Sequence, residues 1–161
     1  MNFPIQSAKH MNDIFFGGNW TSVNMRQHLT GLTWQQATAR IYDHNSIAAL
    51  TFHINYFVEA QIDVLSGRPL NAHDQFSFDL PPIQSQNDWE DILQRVWTNA
   101  EKCVELINQL PVERMGENFI DAKYGTWYRN MQGNIEHIHY HLGQIVIIKK
   151  ILLLQNKFDQ E

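Results

Sequence analysis

Apolar residues recur at three- and four-residue spacing through most of the chain, and alternating β-branched runs are few, so the pattern predicts helices. Ile5 to Phe16 reads as a first helix, closed by Gly17-Gly18. A shorter helical stretch runs from Trp20 and Thr21 to Leu29 and ends at Thr30-Gly31-Leu32. Thr33-Trp34-Gln35-Gln36 fits a capping box, with Thr33 as N-cap, and opens a short helix to about Arg40. A long helix follows from about His44 to Leu65, stopped by Ser66-Gly67-Arg68-Pro69. Asn71 to Gln86 carries Pro81-Pro82 and polar residues and reads as a crossing loop. A second capping box, Asn87-Asp88-Trp89-Glu90, starts a helix that reaches about Gln109. Val112 to Thr126 is again loop, and a last long helix extends from about Thr126 to Gln155. Four substantial helices with one or two long connections describe an all-α four-helix bundle with long crossover connections, a single domain over residues 1–161.

Composition narrows the partners. The chain has 161 residues, 43% of them hydrophobic, and a formal charge of −5. That length buries a substantial core without disulfides. No Lys/Arg run exceeds Lys149-Lys150, so the basic stripe that nucleic acid requires is missing. The apolar stretch from Ile145 to Leu154 is interrupted by those lysines and is too short to span a bilayer, so no membrane partner is expected. No leader-peptide pattern stands at Met1-Asn2-Phe3-Pro4-Ile5-Gln6. Cys103 is the single cysteine, which excludes an intrachain disulfide and a thiolate cluster and suits a reducing cytoplasm. Only Lys102 adjoins it to lower its pKa, so Cys103 reads as a small buried hydrophobe rather than a nucleophile.

The candidate chemistry lies in the histidines. On the last helix Met131, Ile135, Ile138, Leu142 and Ile145 form an apolar stripe, and His137 and His141 lie beside it. Their four-residue spacing stacks two imidazoles on one face, about 5–6 Å apart. His139 is about 200° around the helix from both and is expected to point away and be solvated. His53 sits among Ala49, Leu50, Tyr56, Phe57, Ala60 and Val64 on the core face of the earlier long helix. Two readings stand for His53: a core histidine hydrogen-bonded to a carbonyl, or a third nitrogen ligand completing a metal site with His137 and His141. His10, His28, His44 and His73 fall at helix ends or in loops, where surface roles are expected.

The segment Leu50-Thr51-Phe52-His53-Ile54, the His137-x-x-x-His141 pair and the following Leu142-Gly143-Gln144-Ile145 resemble the DinB/YfiT-like superfamily of metal-dependent enzymes. Trp20-Thr21-Ser22-Val23 and Leu29 to Ala37 are similar to it as well, so the resemblance covers nearly the whole length. It implies a four-helix bundle, a three-histidine site for a divalent metal (zinc or nickel), and a homodimer. Some members of that superfamily transfer low-molecular-weight thiols. The chain departs from the pattern at His139, which makes the motif His-x-His-x-His.

Three neutral imidazoles on Zn²⁺ or Ni²⁺ leave a replaceable position for a thiol or for water. The first gives transfer of the thiol to a small electrophile, the second hydrolysis; a non-catalytic, metal-stabilised dimer or sensor is the reading from another class. Asn134 and Gln144, one turn before and one turn beyond the pair, either orient the ligands or substrate or serve as packing polar residues. Glu136 is about 100° off the pair and reads as a solvated carboxylate. No carboxylate base is evident beside the histidines, and the His-Glu-x-x-His pattern of zinc proteases is absent. Trp127, Tyr128 and Arg129 read as core or as pocket lining. The expected partners are a small-molecule substrate and a second copy of the chain, the latter also suggested by five tryptophans.

Overall fold

The computed structural model describes residues 2–158, with side chains described for 2–155. Every regular element in that span is helical, and no strand forms among the described residues. Helix α1 covers Phe3–Phe16, α2 Met25–Leu29, α3 Trp34–Thr38, α4 Ile47–Leu65, α5 Gln86–Asn108 and α6 Trp127–Phe158. Short 3₁₀ turns at Asp74–Phe76, Val112–Gly116 and Ala122–Tyr124 punctuate the two long connections.

The helix starts follow from side chains that satisfy orphan N–H groups. Asn2, Asn24, Thr33, Ser46 and Ser85 each accept a backbone N–H three residues on. At Thr33 the exchange is reciprocal, since Gln36 Oε1 accepts from Thr33 N at 3.0 Å. Three sequence-based boundaries shift. The box expected at Asn87 does not form: Ser85 caps α5 two residues earlier, and Asp88 accepts from Gln84 N at 2.8 Å. The stretch from Trp20 to Asn24 is not helical, because Ser22 takes a left-handed φ of 54° and Asn24 restarts the chain. Tyr42 (φ 52°) likewise turns the backbone before α4, which begins at Ile47 rather than His44.

Helix α1 packs against α5 and α6, and α4 packs against the same two helices. The interior between them is filled by Met11, Ile14, Phe15, Ile54, Trp89, Met131, Ile138 and Ile145, all essentially inaccessible. Each such side chain stabilises the fold by about 1.5–3 kcal/mol on burial. The apolar stripe read on α6 (Met131, Ile135, Ile138, Leu142, Ile145) is buried throughout. It therefore fixes the rotation of α6 and turns the adjacent His137 and His141 toward α4. No helix among the described residues is long and apolar enough to cross a membrane.

Candidate metal centre

His53 projects from the middle of α4 and is 5% exposed. Its Nδ1 lies 2.9 Å from Ser77 Oγ in the first long connection. Ser77 Oγ donates its own proton to the Asp74 carbonyl at 2.7 Å, so toward His53 it can only accept. That places the ring proton on Nδ1 and leaves an unshared pair on Nε2. The ring is clamped between Phe78, stacked at 4.1 Å and 11°, and the edge of Phe57 at 5.1 Å.

His141 is held in the same manner on α6: its Nδ1 donates to Gln144 Oε1 at 2.8 Å, which again frees Nε2. His137 brings its Nε2 to 2.9 Å from His53 Nε2. One ligand atom from each of the three rings lies within 4.8 Å of the others, and no fourth metal-ligating side chain joins them among the described residues. Burial holds the His53 imidazole below its usual pKa, reinforced by His141 and opposed by Asp74 and Ser77. Burial first, then the neighbouring His141 and His53, lower His137 to about 4. At neutral pH His53 and His137 are therefore uncharged, the form that coordinates metal.

The donor set fits a first-row divalent ion: three imidazole nitrogens, two of them with fixed tautomers, and no thiolate. Two nitrogens on a tetrahedral ion at 2.0–2.1 Å stand roughly 3.3 Å apart, so the 2.9 Å approach of His53 and His137 needs only a few tenths of an ångström of adjustment.

A cavity of about 850 Å³ opens beside His137. Its walls are mostly apolar, with Phe57, Ala60, Leu70 and Phe119 among them, and carry Gln61, Asp74, Lys123, Arg129, Asn130 and Asn134. Both its size and this lining are those of a small-molecule site.

A family model described as the DinB superfamily matches residues 19–145, most of the chain and all three histidines. The chain belongs to the DinB superfamily. No curated protein and no solved structure matches it significantly.

The His-x-His-x-His of this DinB chain resolves by helix geometry. His139 stays out of the cluster, as its angular position implies, but it is half-buried rather than solvated, its Nδ1 donating to the Ile135 carbonyl at 3.1 Å. Gln144 contacts His141 directly, whereas Asn134 bonds Gln61 Oε1 at 2.9 Å and reaches no histidine. Gln61 also accepts from the buried Cys103 thiol, whose pKa burial pushes up to about 12, so Cys103 is no nucleophile. Glu136 is exposed and pairs with Arg129. Trp127 is core, while Arg129 lines the cavity.

Ser77, Phe78 and Asp74 escaped the sequence reading. The expectation that no carboxylate stands beside the histidines is corrected by Asp74, which lines the same cavity as His137 and whose Oδ1 lies 3.4 Å from the Ser77 Oγ that bonds His53. Its signal was the Asp74-x-x-Ser77 spacing in a turn, which has no meaning until Tyr56 is seen to pin the loop. The Tyr56 hydroxyl accepts from His73 N at 2.8 Å and donates to His73 O at 3.0 Å.

Proposed function

We propose that His53, His137 and His141 hold one divalent metal, zinc or nickel, and that the protein is a metal-dependent enzyme transferring a small thiol to an electrophile. We further propose that α1, α4, α5 and α6 constitute a four-helix bundle with long crossover connections, with the ligands on the facing helices α4 and α6. The observation that carries this reading is the convergence of three imidazoles beside an open cavity, two of them held in a ligating tautomer, with no fourth side chain among the described residues to close the set.

When bound, such a metal supplies Lewis acidity that favours the thiolate form of a thiol at neutral pH. The chain does the rest. Ser77 and Gln144 hold two rings in their ligating tautomers, and Phe57 and Phe78 keep water from the faces of His53. Asp74, on the cavity wall, is placed to accept the proton released by the incoming nucleophile. No protein nucleophile competes, since the Cys103 thiol is buried and held protonated.

Asp74 also favours a second reading, hydrolysis, because a carboxylate base is what an attacking water requires. Zinc- or nickel-loaded protein assayed with a thiol plus a chloro-electrophile, and separately with esters and amides, separates the two. Thiol-dependent product that vanishes in His53→Ala supports transfer. Hydrolysis without thiol dependence replaces it, and silence in both arms points to a non-catalytic role.

A further inference from the structure

The cavity is electrically polarised along its length. Asp74 lies at the histidine end, its Oδ1 3.4 Å from the Ser77 Oγ that bonds His53. The two cations of its lining are Lys123, in the turn before α6, and Arg129, whose guanidinium reaches Gly133, four positions or about 6 Å of helix axis short of His137. Arg129 runs forward along its helix: a Cβ built on Gly133 would meet its Nη1 at 2.9 Å, so the guanidinium lies against bare backbone where a side chain would displace it. Gly133 itself lines the cavity, one turn, or about 6 Å along the axis, from His137. Lys123 forms no ion pair among the described residues. The turn that carries it is tied to α6 by the bond from Asn130 Nδ2 to the Tyr124 carbonyl at 2.6 Å. The one acidic partner of Arg129 among the described residues, Glu136, stands at 3.4 Å with both side chains mostly in solvent, a contact that an incoming anion can replace.

We propose that this end of the cavity is an acid-recognition subsite. The substrate carries an anionic group, carboxylate or phosphate, that docks on Arg129 and Lys123 while its reacting end lies at His137 along the α6 wall. The inference rests on the reading of the histidine cluster as the reacting end. Gly133 acts as the specificity-determining position, because its missing side chain lets the guanidinium reach over the cavity. Arg129 then meets the acid with the planar fork that suits both oxyanions, and Lys123 adds a compact second charge.

Calorimetry on the zinc-loaded protein with 6-mercaptohexanoate, the corresponding phosphonate and 6-mercaptohexanol tests it. The acids should bind about tenfold tighter than the alcohol, as charge-assisted bonds at a partly exposed site imply. The tighter acid names the class. In the doubly substituted Lys123→Gln, Arg129→Gln protein that preference should fall to near one, and Gly133→Ala should reduce it without removing the metal. A wild-type preference near one, or one that survives the double substitution, overturns the subsite. Should none of the thiols bind, thiol capture at the histidines is what has failed. Hexanoate against hexanol then tests the acid end alone: binding of hexanoate lost in Arg129→Gln supports the subsite, and no binding of hexanoate overturns it.

Discussion

Replacing Ser77 with alanine removes one atom and tests how the centre is built. Ser77 Oγ is fully buried and accepts the proton of His53 Nδ1 at 2.9 Å. Without it, that N–H has no partner in view, and the proton can move to Nε2, the atom that faces His137. Leaving a buried donor unmet costs about 1–3 kcal/mol. The expected loss of metal affinity is about 10–100-fold, the range seen when a group supporting a ligating imidazole is removed, equivalent to roughly 1.4–2.8 kcal/mol. Competition between the protein and a chelator of known affinity reads this directly, with helicity measured in parallel because Ser77 also closes the turn on Asp74 O. Ser77→Thr, which keeps a hydroxyl, should recover most of the affinity. A Ser77→Ala protein within about twofold of wild type, with helicity intact, would show that His53 is not oriented from this loop, and the tautomer argument would fall.

Alanine at His53, His137 or His141 should each abolish stoichiometric metal by elemental analysis, whereas His139→Ala should keep it; metal retained in all three refutes the site. Acid should weaken the metal-free fold: with His137 lowered to about 4, the unfolded chain takes up a proton below about 6.5 that the folded chain refuses, so stability falls between those values. Discounted for the partial exposure of His137, the loss is about 1–2 kcal/mol, and urea unfolding at pH 7 and pH 5 should show a smaller loss in His137→Asn than in wild type. Acidification should also release the metal, because protons compete for the coordinating imidazole nitrogens, and elemental analysis after dialysis at falling pH reads it. A homodimer through the exposed face of α6 is expected, because Tyr140, Ile147 and Leu154 recur there at seven-residue spacing and are 65%, 60% and 55% exposed; Ile147→Glu should give a monomer by light scattering, and a wild-type species of 18.9 kDa alone refutes the pairing.

How much was legible follows from where each residue gets its position. His137 and His141 are fixed by α6 alone, whose apolar stripe sets its rotation, and local periodicity states that rotation directly. His53 was readable for the same reason on α4, although its tautomer was not. Ser77, Phe78 and Asp74 reach the centre through a connection without periodicity, held by the pair of bonds between Tyr56 and His73 across 17 positions. Nothing local in the sequence specifies such a return. The shifted start of α5 has a local cause instead: Ser85 and Asn87 both suit an N-cap, and Asp88 decided between them by standing three residues after Ser85 and binding Gln84 N. Asn134 illustrates the opposite failure. Its register beside His137 was right, yet Gln61 on α4 captured its amide, and its Oδ1 is left buried without a partner.

The division of labour between helix and loop bears on how such a centre acquires new chemistry. The three imidazoles stand on α4 and α6, whose packing through Ile54, Ile138 and Ile145 resists change at a cost of about 2–5 kcal/mol for truncation to alanine. The groups proposed for proton acceptance and acid recognition lie elsewhere: Asp74 in the first connection, Lys123 in the second, Arg129 at the exposed start of α6. Loops of this kind tolerate substitution far better than the core that carries the ligands. Proton acceptance and acid recognition can therefore vary while the histidine geometry stays intact. Tyr56 couples the two beside the His53–Ser77 bond, since it rises from α4 one turn beyond His53 and grips the backbone of the loop that bears Asp74 and Ser77. Tyr56→Phe should accordingly disturb turnover and metal affinity together, whereas Asp74→Asn should lower turnover and leave metal content at one per chain; the reverse pattern would place Asp74 among the ligands.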